Sequence, residues 1–292
     1  MPSSRGRRGA ATGVAAALTL ALIAGCTPAA TAPPSAPTTS PAATLAPPTP
    51  SADPVVRFVV ASDGHWGQAG TDWARHYADF VAAVNAVDAR TPLDFVALVG
   101  DLTNEDADLL PEVKRALGGL RAPLIATRGN NDFGTKKQWR AVFGADPDTV
   151  TSLAGNLFVL ADTTDGHGSK DCPDARWIER QLAAHPDAAH AFLFFHVPPV
   201  DPATLQLSCD RLQRLLADEP RIKAVFNGHV HALDTVVRVG DVPYLFDGHL
   251  GSNNGVDYRG FRVVEVGPEG TLHTWTTDGK RRFNEVTVTP RG

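Results

Sequence analysis

Five short apolar segments of this chain run directly into aspartate, asparagine or histidine side chains. The polar residues that follow them are Asp63, His65, Asp101, Asn130, His196, His229 and His231. Imidazole, carboxylate and amide groups without any thiolate suit divalent or trivalent ions of Mn, Fe or Zn. Seven such ligands are too many for one tetrahedral ion and suit two ions that share a carboxylate. Two ions roughly 3.5–4 Å apart can bind one phosphate between them and lower the pKa of a bound water.

Each of these motifs has an ordinary explanation when it is taken singly. Asp-x-His at 63–65 and His-x-His at 229–231 are common in loops, and Gly-Asn-Asn-Asp at 129–132 is typical of a turn. His196 is compatible with a hydrogen-bonded core histidine. Their joint order at the ends of apolar segments is what favours a shared site. Residues i and i+2 of an extended chain point to the same side, so we expect each of the two pairs to hold one ion.

The apolar segments that precede these side chains have the composition of buried strands. They are Val55–Val60, Val96–Val99, Pro123–Ala126, Ala191–Phe195 and Ile222–Phe226. In open α/β sheets ligands collect outside the carboxyl ends of the strands, so the sequence predicts one site there. We expect Asp101, which follows Val96–Val99 and Gly100, to lie at its centre.

Helical patterns alternate with these strands, which predicts parallel pairing through βαβ crossovers. The expected helices are Asp72–Ala89, Glu105–Leu117, Thr135–Phe143, Ala175–Ala184 and Thr204–Ala217. A further strand is expected at Asn156–Leu160. After residue 234 short β-like segments separated by turns indicate a largely antiparallel sheet. They are Thr235–Val239, Tyr244–Phe246, Gly260–Val266, Thr271–Thr276 and Phe283–Thr289. The simplest architecture is an α/β fold of four layers, an αββα sandwich in which two mixed β-sheets pack together and helices flank them.

Composition limits the classes of partner. The 292 residues are 43% apolar, enough for a full core, and the net charge is −5. No stripe of lysine and arginine interleaves with aromatic residues, so we expect no nucleic-acid partner. A phosphate-bearing small molecule would then need local positive charge, which bound metal provides. We expect a monomer.

The first 54 residues have the composition of an export and attachment signal. Arg5, Arg7 and Arg8 precede Ala10–Gly25, an apolar stretch too short to span a membrane. Its end, Leu-Ile-Ala-Gly before Cys26, resembles a bacterial lipoprotein signal, which implies cleavage before Cys26 and lipid on its thiol. An ordinary secretory peptide is the alternative.

Residues 26–54 are dominated by Ala, Pro, Thr and Ser, which predicts an unstructured tether. The expected organisation is therefore a signal peptide at 1–25, a tether at 26–54 and a folded domain at 55–292. Such a protein would be exported and held by its lipid on the outer face of the bacterial cell membrane.

Cys172 and Cys209 are the two remaining cysteines. An even pair in an exported protein favours a disulfide, which would link the segments on either side of His196. Two unpaired thiols in loops are the alternative, since sequence does not give their separation.

The order of the motifs resembles that of the calcineurin-like metallophosphoesterases. The family pattern Asp-x-His, Gly-Asp, Gly-Asn-x-Asp, His and Gly-His-x-His is found at 63–65, 100–101, 129–132, 196 and 228–231. The resemblance implies that Asp63, His65 and His231 hold one metal, Asn130, His196 and His229 the second, and that Asp101 bridges them. It also implies a two-sheet sandwich and in-line attack of metal-bound hydroxide on phosphorus, with Asn130 and His196 helping to stabilise the transition state.

One position departs from many members of this family, which carry histidine where this chain has Asn131. That histidine protonates the leaving group, and asparagine cannot act as a general acid. Asparagine in place of histidine at position 131 therefore favours phosphodiesters or activated esters as substrates. Asn131 is also a candidate substrate-binding residue. His249 is a candidate substitute donor or else a surface-loop histidine. Arg128 is a candidate substrate ligand or else faces solvent.

The sequence therefore predicts an exported hydrolase that uses two metals to cleave phosphoesters, with diesters favoured. A phosphomonoesterase or nucleotidase of the same fold is one alternative. A surface lipoprotein that binds metal without catalysis is another, since folds are reused as sites change.

Overall fold

Strand β1, Val56–Ala61, shows how side-chain alternation divides the core of this protein. Phe58 and Val60 point into an apolar layer shared with strands of a second sheet. Val59 and Ala61 point the other way and pack with helical residues. A strand that is apolar on both faces must be covered on both sides, so β1 requires a layered fold.

The computed structural model describes residues 56–200 and 207–289. The expected signal peptide at 1–25, the lipidation site Cys26 and the tether at 26–54 lie outside these residues. In chain order the strands after β1 are β2 (Phe95–Val99), β3 (Leu124–Thr127), β4 (Thr149–Leu153), β5 (Asn156–Ala161), β6 (His190–Phe195), β7 (Ile222–Asn227), β8 (Val236–Val239), β9 (Val242–Phe246), β10 (Phe261–Val266), β11 (Leu272–Thr277) and β12 (Arg282–Val288). The helices are α1 (Trp73–Arg90), α2 (Leu110–Ala116), α3 (Lys136–Phe143), α4 (Ala175–Ala184) and α5 (Asp210–Asp218).

The strands form two mixed sheets of six. The first has the order β12-β11-β10-β1-β2-β3 and the second β4-β5-β6-β7-β9-β8. Residues of α1, α2 and α3 pack on the outer face of the first sheet, and residues of α4 and α5 pack on that of the second. The expected four-layer αββα sandwich is therefore confirmed.

Aromatic rings fill the space between the two sheets. Phe58 stacks on Phe95 of the same sheet at 4.7 Å between ring centroids and meets Phe158, Phe194 and Phe226 of the other sheet edge-on. Offset and edge-on pairs of this kind add roughly 0.5–1.5 kcal/mol each beyond the burial of their area. The interlocked rings hold the two sheets in one relative position.

The predicted strand–helix–strand units are confirmed, since β1, β2 and β3 pair in parallel, as do β5, β6, β7 and β9. The carboxyl ends of these parallel strands lead into the loops that carry the motifs of the sequence analysis. Among the described residues, no helix combines the length and the apolar character that crossing a bilayer requires.

Three expectations of the sequence analysis were wrong in detail. The strands after residue 234 do not share one antiparallel sheet, because β8 and β9 join the second sheet and β10, β11 and β12 the first. Strand β4 was missed, since this edge strand is only half-buried and lacks an apolar run. The expected helix at 105–117 contains only seven α-helical residues between two short 3-10 turns, with Pro111 in the first turn of α2.

Cys172 and Cys209 are joined by a disulfide with a Cα–Cα distance of 5.7 Å and a sequence separation of 37 residues. Cys209 immediately precedes α5, and Cys172 lies three residues before α4. The bridge therefore fastens the loop after β5 to the loop after β6, and both loops begin at the carboxyl edge of the second sheet.

Replacing both cysteines, Cys172→Ala with Cys209→Ala, should lower the stability of the oxidised protein by roughly 3–4 kcal/mol, because the unfolded chain regains the entropy of a closed loop. Thermal unfolding followed by circular dichroism measures the change. Reductant should shift the parent protein towards the double variant and leave the variant unaffected. Equal unfolding temperatures of parent and variant under oxidising conditions would contradict a stabilising bridge.

Candidate metal centre

The loops at the carboxyl ends of the strands hold an unusual concentration of left-handed backbone. Asp63, His65, Asp101 and His229 have φ values of 57°, 45°, 52° and 66°. Among the described residues only three other non-glycine residues have positive φ. Such conformations cost of order 1–3 kcal/mol each and persist where the surroundings impose them, often at functional sites. The sequence analysis assumed extended backbone for the pairs Asp63/His65 and His229/His231. That assumption was wrong, since Asp63, His65 and His229 have left-handed backbone.

The first cluster of candidate ligands contains Asp63, His65 and His231. The Nε2 atom of His231 lies 2.9 Å from Asp63 Oδ1 and 3.2 Å from His65 Nε2. His65 Nε2 lies 3.8 Å from the same carboxylate oxygen. Three donor atoms from the loops after β1 and β7 thus face one point.

The second cluster contains Asp101, His196 and His229. His196 is fully buried, and its Nε2 atom lies 3.2 Å from Asp101 Oδ2. The rings of His196 and His229 are 5.3 Å apart between centroids. His229 and His231 therefore belong to different clusters, as the family resemblance implies and contrary to the expectation from their spacing alone.

Asp101 connects the two clusters. Its Oδ2 atom lies 3.2 Å from His196 Nε2 and 3.9 Å from His65 Nε2. Asn130 is flanked by residues that touch Asp101, and its Oδ1 atom is buried without a hydrogen-bond partner. The structure thus gathers the six aspartates and histidines expected from the sequence into two adjacent clusters, and the loop that carries Asn130 contacts Asp101.

The donor atoms are arranged as ligands of bound metal rather than as hydrogen-bond partners of one another. Asn130 Oδ1 has no hydrogen-bond partner although it is buried, which is rare for a polar atom that serves only the fold. Two nitrogen ligands of one tetrahedral ion, each about 2.1 Å from it, lie about 3.4 Å apart. The 3.2 Å between the Nε2 atoms of His65 and His231 is close to that separation. The residues present therefore fit two metal ions.

The electrostatics of the centre require positive charge. Burial alone would lower the pKa of His196, but the carboxylates of Asp101 and Asp63 raise it to about 10. Burial likewise disfavours charge on His231, whereas its hydrogen bond to Asp63 raises its pKa to about 9. The pKa of Asp63 falls well below its usual range: burial opposes this shift, and the charges of His196 and His231 outweigh burial. Buried carboxylates thus hold protons on histidines that a bound cation would displace.

A set of neighbours orients the candidate ligands. His196 Nδ1 donates to the backbone oxygen of Val99 at 2.8 Å, and His231 Nδ1 lies 2.5 Å from Asn254 Oδ1. Ser62 Oγ donates to Asp63 at 2.5 Å. Such partners select the nitrogen of each histidine that faces a metal. Sequence reasoning missed Asn254, which follows β9 in an unremarkable loop, whereas the position of Ser62 beside Asp63 was a usable signal.

Gly129 shows why glycine precedes Asn130. A Cβ atom at Gly129 would lie 2.2 Å from Asp101 Oδ1 and 2.7 Å from the ring of His196. Asp132 in turn accepts hydrogen bonds from the amides of Gly129 and Thr103 at 2.9 and 2.8 Å. The motif at 129–132 therefore lets the β3 loop approach the central aspartate and then fixes the loop there.

Asn131 contacts Asp101. Its backbone amide and its side-chain Nδ2 donate to the two carboxylate oxygens of Asp101, each at 2.7 Å. The structure gives Asn131 a positioning role at this carboxylate. Substrate contact through Asn131 stays a prediction.

The expectation that Arg128 faces solvent was wrong, because Arg128 is buried, with 1% of its surface exposed. Substrate contact through Arg128 stays a prediction. Its guanidinium is paired with Asp162 at 2.5 Å and donates to the backbone oxygen of Gly134 at 2.6 Å. Arg128 therefore braces the loops after β3 and β5 against each other.

The alternative that His249 lies in a surface loop was wrong. His249 is buried, and its ring centroid lies 5.8 Å from that of His231. Its Nε2 atom is 3.1 Å from the backbone oxygen of Val256, which can only accept, so that nitrogen carries a proton. Burial lowers the pKa of His249 to about 4, which disfavours the charged ring. A role of His249 as proton donor stays a prediction.

A two-sheet αββα sandwich with two clusters of Asp and His ligands at its carboxyl edge defines a protein of the dinuclear metallophosphoesterase class. Residues 56–233 match the family of calcineurin-like phosphoesterases, and the chain belongs to that family.

Relatives agree with this assignment. The chain is 28% identical over 164 residues to a probable glycerophosphodiester phosphodiesterase, GpdQ, of Arcobacter nitrofigilis. That match covers 49% of this chain and 59% of the relative, so the chain spans about three fifths of the relative's length.

Two solved structures share the fold. A dimetal phosphatase from Danio rerio matches with a TM-score of 0.62 and 14% identity, over 82% of this chain and 100% of that one. Purple acid phosphatase PPD1 from yellow lupin, Lupinus luteus, matches with a TM-score of 0.61 and 13% identity, over 82% and 55%. At these identities the likeness establishes the fold alone.

The left-handed backbone at His229 predicts an inverted order of stability for two substitutions. In chelator-treated protein, His229→Gly should be more stable than His229→Ala by about 1 kcal/mol, because glycine adopts positive φ without strain. Denaturant unfolding of the two variants measures the difference. At His231, whose φ is not positive, alanine should be the more stable replacement. The same order at both positions would argue against backbone strain at His229.

Proposed function

We propose that this protein is a metal-dependent phosphoester hydrolase. The observation that carries the proposal is that two clusters of three ligands meet at one buried aspartate, Asp101. Asp63, His65 and His231 would hold one ion, Asn130, His196 and His229 the other, and Asp101 would bridge them. Two such ions, of Mn, Fe or Zn, would neutralise phosphate charge and lower the pKa of a bound water.

The chain's own residues supply position and charge. His196 is held by the backbone oxygen of Val99, and Asn131 grips both oxygens of Asp101, so the groups nearest the reacting phosphate are fixed in advance. Preorganised polar groups of this kind favour the transition state because they need not reorient as charge develops. We assign Asn130 and His196 this stabilising role.

We infer that phosphodiesters or activated esters are the preferred substrates. The support is that asparagine at position 131 is not an acid and that His249 Nε2 already donates to the backbone oxygen of Val256. A departing alkoxide without a proton donor loses roughly 10²–10⁴ in rate. The name of the curated relative, a phosphodiesterase, points the same way.

We further propose that the protein is exported and attached to the outer face of the cell membrane through lipid on Cys26. The support is the sequence itself: a basic start, an apolar stretch and Cys26 after a small-residue segment, followed by a tether rich in Pro, Ala and Thr. The disulfide between Cys172 and Cys209 agrees with an oxidising compartment.

Asp101→Asn and His229→Ala should each lower metal-stimulated hydrolysis of a bis-aryl phosphodiester by at least about 10²-fold, since even residues that only orient metal ligands cost 10–100-fold when changed. Steady-state turnover with added Mn²⁺ and the metal content of the purified proteins measure the effect. Asp187→Asn, an exposed aspartate that precedes β6 and so lies beyond the opposite end of that strand from His196, is the matched control. Unchanged turnover in Asp101→Asn would refute the metal assignment.

The diester preference predicts that aryl diester turnover exceeds aryl monoester turnover on one preparation of the parent enzyme. The reverse ratio would identify a phosphomonoesterase or nucleotidase. Stoichiometric metal with hydrolysis of neither ester would identify a metal-binding protein without catalysis.

Cys26→Ser should move the protein from the membrane fraction to the soluble fraction of an expressing bacterium, because one thiol carries the proposed anchor. Fractionation and the mass of the N-terminal peptide measure this. The double variant Cys172→Ala with Cys209→Ala keeps Cys26 and should stay with the membrane. A soluble parent protein without lipid at Cys26 would rule out the anchor.

A further inference from the structure

A basic pocket lies beside the end of α1, on the outer side of the first sheet, with a volume of about 270 Å³. Four separate parts of the chain line it: the start of β1, the end of α1, strand β10 and the hairpin of β11 and β12. Its cationic side chains are Arg57, Arg90, Lys280, Arg281 and Arg282. Glu265 is the only acidic residue among those that line it. The chain has a net charge of −5, so overall composition does not explain this concentration of positive charge.

The pocket keeps an excess of positive charge after its ion pairs are counted. Glu265 is already satisfied by Arg57 Nε at 2.8 Å and by His273 at 3.1 Å. Arg281 is paired with Asp278 at 3.2 Å, and Arg282 lies 3.8 Å from Glu285. Within residues 56–200 and 207–289, this leaves Arg90 and Lys280 without an ion pair. A cation at the last residue of a helix complements the carbonyl groups there, so Arg90 alone would signal nothing. Its convergence with cations from two other segments is the informative feature.

Trp275 gives the pocket a firm wall. The indole is 5% exposed, and the guanidinium of Arg282 lies over its ring at 3.9 Å from the centroid. A stacked guanidinium loses little further freedom when it binds a ligand, because the ring already restricts its plane. The pocket therefore combines one preorganised fork with flexible charged side chains around it.

We propose that this basic pocket binds a phosphate-bearing anion. Arginine forks match the oxygens of phosphate in pairs, and lysine adds a point charge, so the side chains present suit this ligand class. A phospholipid headgroup and a soluble phosphate compound share this chemistry.

The pocket is separate from the metal centre. Arg57 and Asp63 stand six residues apart, near opposite ends of β1. Six residues of strand span roughly 20 Å. A ligand in the basic pocket therefore does not occupy the position of the phosphate to be cleaved.

The position of the pocket in the chain favours a phospholipid headgroup as its ligand. Arg57 lies in the first strand, Val56–Ala61, which follows the expected tether at 26–54 directly in the chain. If Cys26 carries lipid, the same stretch of chain leads from the membrane to this pocket. Each Lys or Arg near an anionic membrane strengthens binding by about fivefold.

The test compares two triple variants of the full chain carrying Cys26→Ser, so that no lipid is attached. The pocket variant is Arg90→Gln, Lys280→Gln, Arg282→Gln. The control variant is Arg176→Gln, Arg180→Gln, Arg214→Gln, which removes the same charge from exposed positions on α4 and α5. One arm measures sedimentation with vesicles of phosphatidylcholine with and without phosphatidylglycerol. The other arm measures calorimetric binding of pyrophosphate to chelator-treated protein.

The pocket variant should lose about 10²-fold in affinity for the anion that binds, whereas the control should change far less. Loss on phosphatidylglycerol vesicles alone assigns a lipid headgroup, and loss of pyrophosphate binding assigns a soluble phosphate. Equal behaviour of the two variants in both arms overturns the proposal. Diester hydrolysis should be unchanged in both, which also verifies folding. If the pocket variant does not fold, Arg90→Gln with Lys280→Gln leaves the Trp275 stack in place and tests the same point.

Discussion

Two buried carboxylates, Asp63 and Asp101, are the constraint on which the rest of this structure depends. They are 0% and 1% exposed and share their surroundings with His65, His196 and His231. Isolated buried charge is costly, so the loops around them must supply cations or hydrogen-bond donors. Protonated histidines meet this need in part, and two metal ions would meet it in full. Both aspartates have strained, left-handed backbone, which the surrounding structure imposes where several side chains converge on one point.

Rigid supports around the centre maintain that aim. The aromatic layer fixes one sheet against the other, so ligands from β1, β2 and β3 meet those from β6 and β7 in a constant position. Arg128 with Asp162 joins loops of the two sheets, and Asp132 holds the loop that presents Asn130. These polar groups are buried and bonded, so they hold the loops of the metal centre in position. A site of this kind tolerates little displacement, since small errors in position cost much of the rate.

Expectations that depend on residues close in sequence were mostly correct, and those that depend on residues distant in sequence were mostly wrong. Local patterns located nearly all strands and helices, since buried strands and amphipathic helices have periodicities set by their own residues. The division of the late strands between sheets was not predictable, because pairing depends on partners distant in sequence. Arg128 and His249 were misassigned for a similar reason: their partners, Asp162 and Val256, are adjacent only in the fold. The basic pocket joins residues 57, 90 and 280–282, which form no stripe in the sequence.

The amino-acid sequence by itself determined the layered architecture and the seven candidate ligands, because apolar strands that end in polar residues carry both signals locally. Local spacing alone paired His229 with His231, whereas the tertiary structure places them in different clusters, as the family resemblance implied. The physical reason is that spacing and backbone do not decide which loops meet: Asp63 and His65, with the same spacing and left-handed backbone, share one cluster. The partners of a buried arginine, histidine or asparagine are likewise set by which loops meet, and this depends on the packing of both sheets at once.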